Sequence, residues 1–170
     1  MTIRSVAGHT PRIHAGAWVD PAALVIGNVE LSEGVSIWPF TVVRGDMGQY
    51  IRIGRNTNVQ DNSVVHVDPN VPCVIGEGVT IGHRAVVHAC TIRNNVRIGI
   101  GGVVLTGAVI ENNAQVGAGA VVAPGKVVPA GTLVMGVPAK AVRQMNAAEL
   151  DDIRRNAREY LELWQTDYRA

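Results

Sequence analysis

The sequence predicts an all-β fold, a parallel β-helix of about six coils made from hexapeptide repeats, followed by a C-terminal α-helix. Two observations predict the β-helix: aliphatic residues recur every six positions, and 47% of the chain is hydrophobic while only 4% is aromatic. A core of Val, Ile, Leu and Ala without aromatic clusters favours thin, regular layers. A third observation, a change to helical periodicity near the C-terminus, predicts the helix.

The six-residue repeat runs through most of the chain. Twenty hexads begin with Val, Ile or Leu, and the phase jumps twice by ten residues and slips once by one. This period is too long for strand alternation and does not match a helix, but it suits short strands on the three sides of a coil. An ordinary β-sandwich is the alternative. The lead residues are Ile13, Val19, Val25, Leu31, Ile37, Val43, Ile53, Val59, Val65, Ile75, Ile81, Val87, Ile92, Ile98, Val104, Ile110, Val116, Val122, Val128 and Val134.

The repeat ends at segment 136–140, which contains a proline that ends strand pairing. We therefore predict a β-helix domain over residues 1–140 and a helical segment over residues 141–170 that packs on it. Asn146 and Glu149 have the spacing of a capping box at the helix start. We expect one apolar face to lie against the prism of this chain or of a neighbour: Leu150, Ile153, Ala157, Tyr160, Leu161, Trp164 and Tyr168.

Composition and charge exclude several classes of protein. Fifteen Lys and Arg against fourteen Asp and Glu give a formal charge of +1, and no basic run indicates a nucleic-acid groove. The N-terminus has no signal-peptide pattern, and no stretch has the length of a membrane span. We expect no nucleic-acid or membrane partner and a cytoplasmic location. In a reducing compartment Cys73 and Cys90 are expected to remain thiols.

The repeat places polar residues in vertical columns. Residues three hexads apart stack about 4.8 Å from each other, the spacing of neighbouring strands. Arg44, His66 and His88 hold the second position of hexads three apart and form one column. Asp61 and His83 hold the third position of the preceding hexads and form another. Both ten-residue jumps insert loops beside the first column, where they would overhang a site.

The histidines in these columns have the arrangement of metal ligands. Tetrahedral zinc, with bonds of about 2.0 to 2.1 Å, needs ligand atoms about 3.4 Å apart, which His66 and His88 on adjacent coils satisfy. His83 extends from a different side of the prism, so the His83 that binds the same ion is more simply supplied by a neighbouring chain. This predicts a trimer with metal sites at its interfaces. Three imidazoles leave a position open for water, as in catalytic sites. Iron and cobalt suit the same ligands. Ordinary surface histidines are the alternative.

An ordered set of residues surrounds the two columns: Arg44, Gly45, Asp46, Ile53, Gly54, Thr57, Asn58, Val59, Gln60, Asp61, His66, Ile81, Gly82, His83 and His88. This set resembles the signature of the gamma carbonic anhydrases, a family of left-handed β-helix proteins. The resemblance covers nearly the whole chain. It implies a homotrimer in which His66 and His88 of one chain and His83 of the next bind zinc. It also implies that zinc-bound hydroxide adds reversibly to carbon dioxide to give bicarbonate.

The same resemblance implies roles for six further residues. Gln60 is similar to the residue that orients the metal-bound hydroxide, and Asn58 lies beside it. Tyr160 is similar in placement to a tyrosine that reaches the site, although packing in the core is an equal interpretation. The other three residues resemble interfacial ion-pair groups that fix neighbouring chains in register, shape the site, or do both: Arg44, Asp46 and Asp61.

The loops depart from the family pattern, and the departure leaves rival functions open. Active members carry loop glutamates that pass a proton to solvent, whereas here Met47 occupies the first loop and the second offers Asp68 but no Glu. We therefore expect slow or buffer-dependent hydration, or none. The rivals are a coenzyme A acyltransferase, hydrolysis of a thioester or other small carbonyl substrate, and a noncatalytic metal-dependent trimer. The clustered histidines and the lack of a phosphate-binding basic cluster argue against the acyltransferase.

Overall fold

Short strands of two to five residues wind through seven turns, followed by a helix. The computed structural model describes residues 2–168. Turn by turn, the strands are β1 (Ile3–Arg4), β2 (Arg12–Ile13), β3 (Trp18–Val19); β4 (Leu24–Gly27), β5 (Val29–Leu31), β6 (Ser36–Ile37); β7 (Val42–Gly45), β8 (Ile51–Ile53), β9 (Asn58–Val59); β10 (Val64–His66), β11 (Cys73–Ile75), β12 (Thr80–Ile81); β13 (Val86–His88), β14 (Thr91–Ile92), β15 (Arg97–Ile98); β16 (Val103–Val104), β17 (Val109–Ile110), β18 (Gln115–Val116); β19 (Val121–Val122), β20 (Val127–Val128), β21 (Thr132–Met135); and lastly β22 (Lys140–Gln144).

Each turn contributes one strand to each of three sheets. The first sheet contains β1, β4, β7, β10, β13, β16 and β19, the second contains β2, β5, β8, β11, β14, β17 and β20, and the third contains β3, β6, β9, β12, β15, β18, β21 and β22. The predicted left-handed β-helix is confirmed. It has seven turns where about six were expected, because β1 precedes the first hexad that the sequence identified. Ile3 lies ten residues before Ile13, the spacing of the two phase jumps, and this was the missed signal.

The lead residues of the hexads fill the interior of the prism. All of them except Ile13 and Val19 are at most 3% exposed, and those two pack against the core at the N-terminal end. Burying each such aliphatic side chain contributes about 1.5 to 3 kcal/mol relative to leaving it exposed. The side chains of the neighbouring positions in each strand point outward. The outward positions are therefore the ones that can carry function.

The C-terminal segment folds back onto the third sheet. Strand β22 pairs antiparallel with β21, and helix α1 (Ala147–Leu163) then packs against β9 and β12, ending in a π-helical turn (Trp164–Tyr168). The capping box is confirmed, because Asn146 accepts from the Glu149 N–H and Glu149 accepts from the Asn146 N–H. The domain boundary at residue 140 stays a prediction. Within residues 2–168 no helix is long and apolar enough to cross a bilayer.

Aromatic residues join the helical segment to the third sheet. Of the three Trp, three Tyr and one Phe in the chain, five form one cluster here. Trp18 packs edge-on against Trp38 with 5.1 Å between ring centroids and stacks on Trp164 at 6.4 Å. Tyr160 packs edge-on against Trp38 at 5.3 Å, and Tyr168 contacts both sheet tryptophans. Since aromatic side chains bury large areas, this cluster fixes the helix on its own chain.

Candidate metal centre

The predicted column of Arg44, His66 and His88 is present on the first sheet. His66 pairs in register with His88 on one side and with Arg44 on the other. His66 Nδ1 and His88 Nε2 lie 3.3 Å apart. That distance matches the separation of about 3.4 Å between two ligand atoms of a tetrahedral zinc ion with bonds near 2.05 Å. Two of the three predicted ligands thus fit one ion within a single chain.

Each imidazole of this pair is oriented through its other nitrogen. His66 Nε2 is hydrogen-bonded to Asp46 Oδ1 at 3.0 Å, and the other oxygen of Asp46 accepts from Arg44. His88 Nδ1 is hydrogen-bonded to Thr106 Oγ1 at 3.0 Å. Such contacts fix the ring and the tautomer of a metal-binding histidine. Arg44 and Asp46 therefore meet within one chain, and Thr106 was missed because nothing in its hexad position distinguishes it.

Burial and nearby charges favour a neutral His88 and an ionised Asp46. Burial lowers the pKa of His88 below its usual value, and the neighbouring His66 and Arg44 add to the effect while Asp68 opposes it. Partial burial acts to raise the pKa of Asp46, but hydrogen bonds from Arg44 and His66 bring it below its usual value. His88 is thereby kept neutral and Asp46 ionised near neutral pH. Neutral imidazole is the form that ligates a metal.

His83 lies apart from this pair, after a glycine at the corner between the third and first sheets. A Cβ on Gly82 would lie 2.8 Å from the carbonyl oxygen of Ile98, so the close passage of the next coil requires glycine before His83. His83 Nδ1 is hydrogen-bonded to Asp61 Oδ2 at 2.9 Å, which leaves Nε2 for a ligand. The predicted column of Asp61 and His83 is thus present. Among residues 2–168 of one chain, no three His, Cys, Asp or Glu side chains are grouped to hold a metal.

Two buried amides lie on the third sheet beside His83. Asn58 is 1% exposed and Gln60 is 4% exposed. Gln60 Nε2 donates to Asn58 Oδ1 at 3.1 Å, and Asn58 Nδ2 donates to Thr80 Oγ1 at 3.0 Å. Because Nε2 of Gln60 is used in this way, its Oε1 is oriented as an acceptor. The sequence predicted both amides at the site, and the structure shows the chain of bonds that fixes them.

A cavity of about 420 Å³ is lined by residues of the third sheet and of α1, and Gln60, His83 and Tyr160 all contribute to its wall. Burial raises the pKa of Tyr160 above its usual value, and the nearby Asp61 adds to the shift. The sequence did not single out the ion pair in the wall of this cavity. Arg97 donates from Nη1 to Asp152 Oδ2 at 2.8 Å and from Nη2 to its carbonyl at 2.9 Å, which ties α1 to the sheet.

Known proteins resemble the chain over almost its full length. No protein-family profile matches it. A carbonic anhydrase of Geobacillus kaustophilus is 44% identical over 158 residues, which cover 93% of this chain and 86% of the relative. The mitochondrial gamma carbonic anhydrase 2 of Arabidopsis thaliana is 38% identical over 96% of this chain and 61% of its own length. The crystal structure of a hexapeptide transferase family protein from Anaplasma phagocytophilum superposes with a TM-score of 0.94 at 38% identity over 98% of both chains. The chain therefore belongs to the gamma carbonic anhydrase family of hexapeptide-repeat proteins.

Proposed function

We propose that this protein catalyses the reversible hydration of carbon dioxide at metal sites shared between the chains of a homotrimer. The observation that carries the proposal is the 3.3 Å separation of His66 Nδ1 and His88 Nε2, which fits two ligands of one zinc ion. His83 of a neighbouring chain is the proposed third ligand, because it lies on a different side of the prism with Nε2 available. Zinc is the proposed metal, and ferrous iron or cobalt would suit the same imidazoles.

The outer face of the first sheet supports the need for a second chain. Beside the histidine column runs a column of outward-pointing aliphatic side chains, one from each of six successive strands. None of the six is fully buried, and Val64 is 38% exposed. A contiguous apolar surface of this kind is typical of a protein interface. The column consists of Leu24, Val42, Val64, Val86, Val103 and Val121.

The chain's own residues would position the reactants and move protons. A bound zinc would supply Lewis acidity, lowering the pKa of water at the site to about 7. Gln60 Oε1, held as an acceptor by the bond to Asn58, would accept a hydrogen bond from the attacking oxygen. Tyr160 has a raised pKa, so its hydroxyl stays protonated at neutral pH and can donate to bicarbonate. The overall reaction converts one water and one carbon dioxide into bicarbonate and one proton.

Mixing two inactive variants tests both the ligand set and its division between chains. His83→Ala and His88→Ala should each purify with little zinc and little hydration activity. When the two variants are unfolded and refolded together, mixed trimers can form. An interface regains all three ligands where the His83→Ala chain supplies His66 and His88 and the His88→Ala chain supplies His83. Random assembly gives about a quarter of interfaces this composition, so zinc content and hydration should return to about a quarter of the wild-type level.

Three outcomes would overturn parts of this proposal. No recovery of zinc in the mixed trimers, with mixing verified by mass spectrometry, would place each site within one chain. Zinc binding without carbon dioxide hydration between pH 7 and 9 would remove the catalytic role and leave a metal-binding trimer. Acetyl-CoA turnover by metal-free protein would instead assign the fold to acyl transfer.

A further inference from the structure

The hydration reaction leaves a proton in the cavity that contains Gln60 and His83, and this proton must reach solvent. The same cavity extends along α1 and is lined by five ionisable side chains from the third sheet and the helix: His83, Arg97, Asp152, Glu159 and Tyr160. A proton carrier must lose and regain its proton during each turnover. The lining residues differ in whether they can do so.

Four of the five are unsuited to this step. His83 is a proposed metal ligand in the site itself, and the Arg97 guanidinium does not lose its proton in proteins. A hydrogen bond from Arg97 holds the pKa of Asp152 below its usual value despite partial burial, so that carboxylate is a poor acceptor. Burial raises the pKa of Tyr160, which therefore keeps its proton at neutral pH. Glu159 remains.

We propose that the carboxylate of Glu159 is the acceptor that carries the proton from this cavity to solvent. The inference rests on the proposed hydration reaction. One O–H bond of the attacking water breaks as its oxygen joins carbon dioxide. The proton passes through water in the cavity to a Glu159 carboxylate oxygen, and a buffer base then removes it. Glu159 on the helix thus carries out the proton transfer to solvent, for which the loop that contains Met47 provides no glutamate.

The position of Glu159 suits both halves of this transfer. Its side chain is 57% exposed, so buffer can reach it, while it also lines the cavity that holds Gln60. Arg155, one turn earlier on α1, lies 3.4 Å from its Oε1. The other charged or titratable groups that line the same cavity are His83 and Arg97 from the sheet and Asp152 and Tyr160 from the helix. The rival carrier is Asp68, which lies on the loop near His88 on the first sheet.

Oxygen-18 exchange between carbon dioxide and water separates the proton step from the hydration step. In zinc-loaded Glu159→Gln, the interconversion of carbon dioxide and bicarbonate should match the wild type. The release of labelled water, which needs a proton to be delivered, should fall by about 100-fold in dilute buffer. Imidazole buffer at high concentration should restore it. Glu162→Gln, which changes an exposed carboxylate one turn later on α1, is the matched control and should behave as the wild type.

A second measurement reports on Glu159 without turnover. In protein labelled at the glutamate carboxyl carbons, adding zinc at fixed pH should move the Glu159 resonance and leave that of Glu162 in place. Equal labelled-water release in Glu159→Gln and Glu162→Gln, or a loss found in Asp68→Asn instead, would overturn the role of Glu159. A wild-type protein that binds zinc but does not interconvert carbon dioxide and bicarbonate would overturn the hydration reaction itself, a distinct result.

Discussion

The outer faces of the first and third sheets are built from the same type of hexad but are covered in different ways. On the third sheet, the chain's own helix and aromatic cluster cover the outward side chains, so Ser36, Asn58 and Thr80 are at most 3% exposed. On the first sheet, an aliphatic column lies uncovered beside His66 and His88. One face is thus completed within the chain and the other is not. His83 stands at the corner where these two faces meet, which is where a second chain would complete the site.

The second sheet supplies the contrast that makes the first sheet informative. Its outward side chains at the N-terminal end are charged and paired with each other, with Glu30 bridging Arg12 at 2.8 Å and Arg52 at 3.5 Å. Exposed ion pairs of this kind contribute little to stability, and this end of the face is suited to contact with solvent. Toward the C-terminal end the second sheet also carries outward Val74, Val109 and Val127, but among the residues described only the first sheet places histidines beside its outward aliphatic column. The three faces therefore differ in what covers them: water, a helix or, as we propose, another chain.

The largest expected effect comes from placing a charge in the aliphatic column. In Val64→Asp the new carboxylate would be buried without a partner in each interface of the proposed trimer, at a cost of several kcal/mol per charge. We expect monomers that keep the β-helix but bind no zinc. Sedimentation velocity gives the oligomeric state, circular dichroism reports the fold, and elemental analysis gives the zinc content.

The matched control for this variant is on the second sheet. Val127 also points outward from a short strand and is 61% exposed, but it lies on the second sheet, away from the histidine column. Val127→Asp should remain trimeric and retain zinc. If Val64→Asp also remains a trimer with its zinc, the first sheet is not the interface, and the comparison between the two faces fails.

The sequence was sufficient to predict the columns because the hexad length converts position in the chain into position in space. His66 and His88 stack as the spacing required, and so do Asp61 and His83. The outward column around Val64 could also have been read in this way, since its members precede the buried lead residues by one position. These features depend only on the repeat.

Other features of the site could not be predicted because they depend on contacts outside the repeat. Thr106 orients His88 through a side chain that follows the strand, in a hexad with no other polar signal. The pairing of Arg97 with Asp152 joins residues 55 positions apart and depends on how the helix returns to the sheet. The cavity beside Gln60 results from that same packing. Its lining, including Glu159, became visible only once the helix was placed.

An intermediate effect is expected from loosening the helix on the third sheet. Ile153 lies on the buried face of α1 and is 1% exposed, and its replacement by Ala should lower the free energy of unfolding by about 2 to 5 kcal/mol. Urea unfolding monitored by tryptophan fluorescence measures this change. Leu163→Ala, at a position that is 37% exposed on the same helix, should cost less than about 1 kcal/mol. Both variants should remain trimers, because neither changes the first sheet. Equal losses in the two variants would show that α1 is not held by its buried face.

The smallest expected effect concerns how α1 is held at its first turn, where an exposed ion pair adds to the capping box. The Arg143 guanidinium, followed by the Asn146 N–H, lowers the pKa of Glu149 from its ordinary 4.5 to about 2. Because the folded-state pKa lies below the unfolded one, the contribution of Glu149 to stability is complete above about pH 4.5 and is lost as the pH falls toward about 2. Glu149→Gln should therefore be slightly less stable than the wild type at pH 6, and the difference should shrink as the pH falls from 4.5 toward 2. Thermal unfolding of both proteins across this range measures the difference, with Glu162→Gln as the exposed control. A difference between Glu149→Gln and wild type that stays constant over the whole range would show that the carboxylate charge has no part in holding the helix start.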